Sequence, residues 1–386
     1  MRKTCVIIEH MSENKISPPQ WINQPDNFKF MVDDLSQQKS IAVDTESNSL
    51  YAYEEKICLI QFSTTSTDYL VDPLALIDIS PLGLIFSDTQ IEKIFHAAEY
   101  DIMCLKRDFN FSFNNIFDTM IASRTLGRTQ VGLSSLLMEF FNFSADKKYQ
   151  RADWGKRPIQ ADMLRYAQMD THYLIKIRNI LETELIDNQL LELAHEDFQR
   201  TCRVDAFQAN KNGDQYWKLL KGRHIPAQNA SVLFMLYETR EELAKKANIP
   251  PFKIISNISL VETAVNLPQT KEDLESITGL SPKLIERYGS KLLSAIEKGL
   301  STEPLYKKNK QKPAEDYIMR YEKLKGWRKK IAESLKVESD VILPKEYLDH
   351  LAHDPVLTPE KVKSLMHDIP YRYNRFGSEI IKLLNE

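Results

Sequence analysis

The sequence lacks the features that mark several narrow classes of protein. Its 386 residues include only 4 cysteines, and no two of them form a C-x-x-C pair, so neither a disulfide framework nor a zinc ribbon is indicated. We expect buried free thiols in a reducing compartment; a zinc site is the alternative. No apolar stretch reaches membrane-spanning length, and the apolar run near the N-terminus is too short for a signal peptide. A cytoplasmic protein without membrane contact is therefore expected.

The sequence also lacks a strong excess of one charge. The formal net charge is -3, so any surface that binds nucleic acid must be local. The phosphate-binding pattern G-x-x-x-x-G-K-[ST] is absent as well, which argues against a nucleotide-driven helicase. Hydrophobic residues make up 42% and charged residues 27% of the chain. This balance is typical of a globular protein, and the length suggests about two or three domains.

The chain changes character near residue 200. Short apolar runs alternate with helical patterns before that point, which is typical of an α/β domain with a mixed sheet. Strands are predicted over 40–44, 56–63, 68–71 and 91–96, and helices over 98–109, 117–126, 133–141 and 160–187. Beyond it we find only helical patterns, including 227–247, 257–266, 271–277 and 282–298. The predicted division is a leader (1–20), the α/β domain (21–200), a helical domain (208–300), a linker (301–314) and a second helical domain (315–386).

Two carboxylates follow the first predicted strand. Asp44 and Glu46 stand two positions apart in the segment D-T-E, so in an extended chain both project from the same face. Like charges held so close repel each other, and a divalent cation would relieve that repulsion. Oxygen ligands of this kind suit Mg²⁺ or Mn²⁺. Taken alone, the pattern fits a solvated strand end equally well.

Two further acidic residues lie on predicted helices. Asp170 interrupts an otherwise apolar stripe, and Tyr166 lies one turn before it. A buried carboxylate needs a partner, so Asp170 indicates a ligand site; the alternatives are an ion pair with Arg or Lys in the core and a helix turned so that Asp170 faces water. Asp101 lies near the start of another helix, where the helix dipole alone favours an acid.

Together these segments resemble the signature of the DEDD exonuclease superfamily, and most closely ribonuclease D and its relatives. The resemblance runs from about residue 18 to residue 190 and includes D-T-E, the stretch HAAEYDIMCL and the stretch YAQMDTHYL. The flanking segments LIQ, FDTM and ADW…RP agree with it as well. Arg165 stands where one branch of the superfamily has histidine, so Tyr166 assigns the chain to the tyrosine branch. The resemblance implies an α/β ribonuclease H-like fold for this domain.

The same resemblance implies a two-metal mechanism. Asp44, Glu46, Asp101 and Asp170 would hold two divalent ions, Mg²⁺ or Mn²⁺, which activate water and stabilise charge on the phosphodiester. Tyr166 would orient the attacking water through its hydroxyl. Residues beside the four carboxylates and the tyrosine are expected to bind the terminal nucleotide. Trp154 would stack on a base, and Arg157 would contact phosphate. The candidates for substrate binding are Asn48, Leu50, His96, Trp154 and Arg157. A core anchor is the alternative for Trp154, and a satisfied strand-end histidine is the alternative for His96.

The helical half resembles HRDC domains. Residues 208–300 resemble the helical module shared by RecQ-type helicases and ribonuclease D, and 315–386 would be a divergent second copy. The run between Lys307 and Lys330 is basic and contains aromatic residues, which suits RNA backbone contact or, alternatively, a solvated helix face. The expected activity is that of a monomeric 3′→5′ exoribonuclease acting on RNA 3′ ends such as those of tRNA precursors. The alternatives are a DNA exonuclease of the same branch and an inactive nucleic-acid-binding protein.

Overall fold

One mixed sheet organises the first part of the chain. The computed structural model describes residues 16–206, 215–307 and 313–385. Among these residues the sheet has six strands in the order β1-β4-β3-β2-β5-β6. The strands are β1 (Gln20–Ile22), β2 (Ser40–Ser47), β3 (Ile57–Ser63), β4 (Asp68–Val71), β5 (Glu92–Phe95) and β6 (Ile116–Asp118). Strand β3 runs antiparallel to β2 and β4, and the other pairs are parallel.

Helices cover both faces of this sheet. They are α1 (Pro25–Leu35), α2 (Pro81–Ser87), α3 (Glu99–Phe109), α4 (Thr119–Thr125), α5 (Leu133–Phe141), α6 (Ala161–His172), α7 (Leu174–Asp187) and α8 (Leu191–Cys202). Alternate residues of β2 face opposite layers: Ile41 and Val43 share a core with α1 to α3, whereas Ala42 packs in the core that contains α7. All seven residues of β3 are buried, as expected for a strand covered on both sides.

The predicted α/β architecture with a mixed sheet is confirmed, with local corrections. The helix predicted over 160–187 is two helices, α6 and α7, which meet at Tyr173. Both helices have an apolar face, so the periodicity continued across the break and concealed it. Strands β1 and β6 were not predicted because three residues are too few to show alternation. Cys5 and most of the predicted leader lie outside the described residues.

A separate helical unit follows the sheet domain. It contains α9 (Gln215–Leu219), α10 (Ala227–Ala247), α11 (Pro251–Ile254), α12 (Asn257–Asn266), α13 (Lys271–Leu274) and α14 (Pro282–Ser301). Helix α10 ends at Asn248, which has left-handed backbone geometry, and Pro250 then prevents its continuation. The Ser281 side chain caps α14 by accepting a hydrogen bond from the Leu284 N–H. The apolar residues of this unit form their own core.

A second helical unit repeats this order of helices. It contains α15 (Glu315–Leu335), α16 (Ser339–Ile342), α17 (Lys345–His353), α18 (Pro359–Leu365) and α19 (Pro370–Asn385). The succession of long, short, medium, short and long helices matches α10 to α14. The common order supports the prediction of a divergent second HRDC copy, which stays a prediction.

The second helical unit shares a hydrophobic core with the sheet domain. Leu348 and Ile380 belong to the same buried cluster as Leu181 and Phe198. A buried ion pair crosses the boundary, since Arg372 on α19 donates to Glu196 (2.9 Å) and Asp197 (2.8 Å) on α8. Within the described part of the chain, no helix has the length and apolar character needed to cross a bilayer.

Candidate active site

Asp44 and Glu46 lie inside β2, near its end. The predicted strand ended at Asp44, but β2 continues to Ser47 and includes both residues. Asp44 stands opposite Gln61 of β3, and Glu46 stands opposite Leu59. Both carboxylates therefore project from the face that α6 covers. The register shifts between Glu46 and Ser47, so regular pairing ends where the acidic pair is presented.

Asp101 approaches the end of β2 from the other side of the sheet. It lies in the first turn of α3 and is only 9% exposed. The Thr45 hydroxyl, which points away from Asp44 and Glu46, donates a hydrogen bond to Asp101 Oδ1. This contact ties α3 to the middle residue of the D-T-E segment.

Asp170 and Tyr166 lie one turn apart on α6. The hydroxyls of Ser63 and Thr171 are 2.7 Å apart, so this turn of the helix lies directly on β3. The ring of Tyr166 contacts Trp154, with 6.2 Å between ring centroids. Helix α6 therefore presents a carboxylate and a phenol to the end of β2 that carries Asp44.

The electrostatics bring all four carboxylates into one cluster. Burial, followed by the charges of Asp101, Asp170 and Glu46, raises the pKa of Asp44 well above its usual range. Burial and the charges of Asp170 and Asp101 do the same to the pKa of Glu46. Burial raises the pKa of both Asp101 and Asp170 to about 7. Like charges at close range and partial desolvation together explain these directions.

Tyr166 belongs to the same electrostatic cluster. Burial, with the neighbouring charges of Asp170, Glu46 and Asp44, raises the pKa of its phenol far above 10. The hydroxyl therefore stays protonated at neutral pH in the metal-free protein. In that state it can donate a hydrogen bond to a substrate or to water, but it cannot act as a base.

The donor set fits hard divalent cations. Four carboxylates supply only oxygen, the ligand that Mg²⁺ and Mn²⁺ prefer. A bound cation would also offset the repulsion that raises their pKa values. Within the described residues, no group of three or more His, Cys, Asp or Glu side chains is already arranged as a metal site.

Two cavities flank the carboxylates. One, of about 220 Å³, is lined by residues that include Glu46, Ser49, Leu50, Tyr100, Asp101 and Trp154. The other, of about 280 Å³, is lined by residues that include Phe143, Lys148, Tyr149, Arg165, Tyr166 and Asp170. A cavity of about 750 Å³ between the sheet domain and the second helical unit contains none of the four carboxylates, so its size does not make it the site of chemistry.

Of the residues predicted to bind substrate, Asn48 and Leu50 lie in the loop after β2, and His96 directly follows β5. Leu50 is 37% exposed and lines the cavity beside Glu46. The side-chain oxygen of Asn48 accepts a hydrogen bond from the Lys56 N–H at 2.7 Å, which shapes the loop after β2. His96 lies 2.9 Å from the Thr119 hydroxyl through Nδ1, and burial lowers its pKa. Among these three, only Leu50 lines one of the two cavities described here.

Trp154 and Arg157 differ from the prediction. Trp154 is 1% exposed and packs among core residues, as the core-anchor alternative describes, although it borders the cavity beside Glu46. Arg157 donates to both oxygens of Asp72 at 2.7 Å and to three backbone carbonyls. All five N–H donors of its guanidinium are therefore used, and it holds the loop rather than reaching for phosphate.

Several residues of the site were not predicted from the sequence. Lys148 and Arg165 line the cavity beside Asp170, together with the acidic side chains of Asp146 and Asp162. Arg165 directly precedes Tyr166 in the sequence, and this position could have indicated that Arg165 lies near the site. Thr45 had no such signal, because its partner Asp101 is distant in sequence and lies on the other side of the sheet.

The first helical unit touches the loop that borders the carboxylates. The Tyr53 hydroxyl is 3.3 Å from Glu241, and the Tyr53 N–H donates to the Asn248 side chain at 3.3 Å. Lys253 Nζ lies 4.2 Å from the centre of the Tyr51 ring. Because this loop also contains Leu50, the contacts connect α10 and α11 to the rim of the site.

Comparisons with known proteins agree with this geometry. Residues 19–186 match a family model described as 3′–5′ exonuclease, and residues 230–296 match the HRDC domain. The exosome complex exonuclease RRP6 of Saccharomyces cerevisiae is 33% identical over 299 residues, which cover 72% of this chain and 40% of the yeast protein. The chain thus spans about two fifths of the length of that relative.

Solved structures share the fold. The catalytic core of RRP6 from Trypanosoma brucei is 26% identical with a TM-score of 0.66, covering 74% of this chain and 80% of the other. Escherichia coli RNase D has a TM-score of 0.68 at 22% identity, covering 96% and 99%. The second likeness concerns the fold alone. No family model identified the second helical unit as an HRDC domain. Residues 19–186 of the chain therefore match the 3′–5′ exonuclease family, and an HRDC domain follows over residues 230–296.

Proposed function

We propose that this protein is a 3′→5′ exoribonuclease that hydrolyses RNA from its free 3′ end with two divalent cations, Mg²⁺ or Mn²⁺. The observation that carries the proposal is the meeting of four carboxylates, from β2, α3 and α6, in one electrostatic cluster. The proposed ligands are Asp44, Glu46, Asp101 and Asp170. Bound cations would supply an activated water and stabilise negative charge at phosphorus.

The protein's own residues have separate parts in this proposal. Tyr166, protonated because its pKa is raised, donates a hydrogen bond that orients the attacking water. Leu50 makes apolar contact with the terminal nucleotide in the cavity beside Glu46. Lys148 and Arg165 attract the phosphate backbone on the other side of the site.

The second part of the proposal concerns the biological setting. Escherichia coli RNase D is an exoribonuclease involved in structured RNA processing, and this likeness favours RNA over DNA as the substrate. We propose tRNA precursors as natural substrates, a monomeric state, and the cytoplasm as the compartment. Buried thiols at Cys58 and Cys104 fit a reducing environment.

The test compares the wild-type protein with Asp44→Asn on a single-stranded RNA labelled at its 5′ end. We expect a ladder of products shortened from the 3′ end with Mg²⁺ or Mn²⁺, and no ladder with Asp44→Asn or with chelator. Asp33→Asn is the matched control, because it makes the same change at an exposed position of α1. Unchanged turnover in Asp44→Asn would remove the proposal. A DNA strand of the same sequence tests the alternative of a DNA exonuclease.

A further inference from the structure

Gln61 is a buried polar residue without a protein partner. It lies in the middle of β3 and has 0% exposure. Within the described residues, neither its amide nitrogen nor its amide oxygen makes a hydrogen bond. A buried amide left in this state destabilises the folded protein. The amide of Gln61 is therefore available to form a hydrogen bond with another group.

The register of the sheet places Gln61 beside Asp44. The two residues are direct partners across the antiparallel pair β2–β3, so their side chains project from the same face with Cβ atoms about 4.5–5.5 Å apart. A glutamine side chain is long enough to reach an aspartate in that position. Asp44 is thus the ionisable residue directly opposite Gln61 on this face of the sheet.

Helix α6 closes the space above Gln61. Leu59 and Ser63 lie two positions before and after Gln61, on the same face of β3. Their contacts show which part of α6 covers this face. Leu59 packs in a cluster with Ala167, and Ser63 contacts the Thr171 hydroxyl at 2.7 Å. Gln61 therefore faces the turn of α6 between Ala167 and Thr171. Asp170 belongs to that turn.

The other polar groups nearby already have partners. Gln168 donates to the Ser17 carbonyl (2.7 Å) and to Asp68 (2.6 Å), and Thr171 is used by Ser63. In contrast, no side chain among the described residues donates a hydrogen bond to Asp44 or Asp170. An amide without an acceptor and two carboxylates without a side-chain donor therefore occupy the same part of the fold.

We infer that Gln61 is a positioning residue for the carboxylate cluster. Its side-chain N–H donates to the Asp44 or Asp170 carboxylate when a cation draws these oxygens together, and it fixes the direction in which the carboxylate faces the cation. The inference rests on the proposed function in one respect, namely that these carboxylates hold a divalent cation. Groups that support metal ligands in this way typically affect metal affinity or activity about 10–100-fold.

The test is a Mn²⁺ titration of the full chain, followed by electron paramagnetic resonance, for the wild-type protein and Gln61→Met. Methionine has a similar volume but no donor, so we expect the Kd for Mn²⁺ to rise about 10–100-fold. The free energy of unfolding in chelator should stay the same or increase, because the unsatisfied amide is gone. Lower stability with unchanged Mn²⁺ affinity would assign Gln61 a merely structural role and overturn the inference.

Gln168→Met is the matched control. It makes the same change on a glutamine that is 2% exposed and bonded away from the carboxylates. Here we expect the opposite pattern, a loss of stability with Mn²⁺ affinity unchanged. If Gln168→Met weakens Mn²⁺ binding as much as Gln61→Met does, the effect is not specific and the inference is wrong.

A second measurement needs no variant. In crystals of the wild-type protein grown with Mn²⁺, we expect Gln61 Nε2 within about 3.2 Å of an Asp44 or Asp170 carboxylate oxygen. A separation from both beyond about 4 Å would overturn the inference. RNA hydrolysis by the wild-type protein separates the two proposals. If it binds Mn²⁺ without cleaving RNA, the proposed function fails and the Gln61 result stands. If it cleaves RNA and Gln61→Met binds Mn²⁺ as tightly, only the positioning role fails.

Discussion

The hydroxyl of Thr45 donates a hydrogen bond to the Asp101 carboxylate across the end of β2. Thr45 alternates with Asp44 and Glu46, so it faces α3 while they face α6. One segment of three residues thus contributes two acidic side chains directly and orients a third from the other side of the sheet. The middle position of D-T-E therefore contributes to the site as a hydrogen-bond donor.

Thr45→Val removes this donor and keeps the branched shape of the side chain. We expect hydrolysis to slow by about 10–100-fold, because Asp101 loses the group that orients it. The measurement is the single-turnover rate at saturating Mn²⁺. Thr183→Val, at an exposed position of α7, is the control and should react at the wild-type rate. An unchanged rate in Thr45→Val would mean that Asp101 needs no such support.

Tyr166→Phe removes the phenol hydroxyl and keeps the ring that packs beside Trp154. We expect the rate to fall by about 10²–10⁴-fold, the range for loss of a group that positions or transfers a proton. The Kd for Mn²⁺ should not change, because the hydroxyl is not among the proposed ligands. Tyr173→Phe controls for the substitution itself. Loss of Mn²⁺ binding in Tyr166→Phe would contradict this division of roles.

The stability of the metal-free protein should fall as pH rises from about 4 to 7. Burial raises the pKa of the Asp101 and Asp170 carboxyls to about 7, whereas an unfolded aspartate titrates near 3.9. Between these values the folded state binds more protons than the unfolded state, so each increase in pH favours unfolding. Thermal unfolding in chelator across this range measures the effect.

Added Mg²⁺ or Mn²⁺ should reverse this trend. A cation favours the ionised carboxylates, so its stabilising effect should grow with pH and be small near pH 4. Each kcal/mol corresponds to a shift of about 2–4 °C in Tm for a domain of this size. Asp44→Asn should weaken the response to metal. A metal effect of equal size at pH 4 and pH 7 would contradict the proposed ligands.

Arg372→Met should destabilise the protein by about 3–5 kcal/mol, the cost of removing one member of a buried ion pair. Arg372 is fully buried, and its partner Glu196 is 4% exposed, so the remaining carboxylate would lose its countercharge. Arg375→Met, at an exposed position of the same helix, should change stability far less. Adding Glu196→Gln to Arg372→Met should recover part of the loss. Denaturant unfolding of the four proteins provides the comparison.

The sequence predicted the fold best where local patterns were long. The helices over 227–247 and 257–266 were predicted at the observed bounds, because proline or a capping serine marks their ends. The core strands were found from their apolar runs. The break at Tyr173 and the three-residue strands were missed, since they depend on tertiary contacts rather than on local composition.

The acidic cluster could be anticipated, but its surroundings could not. The sequence indicated which four carboxylates lie close together. The roles of Arg157, Thr45 and Gln61 depend instead on partners that are distant along the chain. Arg157 illustrates the difficulty. An arginine in a loop beside a catalytic helix suggests phosphate contact, but Asp72, a partner 85 residues away, uses its guanidinium instead.

The shared core has a practical consequence for dissecting the molecule. Because α15 to α19 complete the apolar layer that begins on α7 and α8, an expression clone that stops after α14 would leave those surfaces open to water and prone to aggregation. The HRDC unit of α9 to α14, with its own interior, is the piece suited to separate production. A fragment that ends after α14 would therefore separate helices that share one hydrophobic core with the sheet domain.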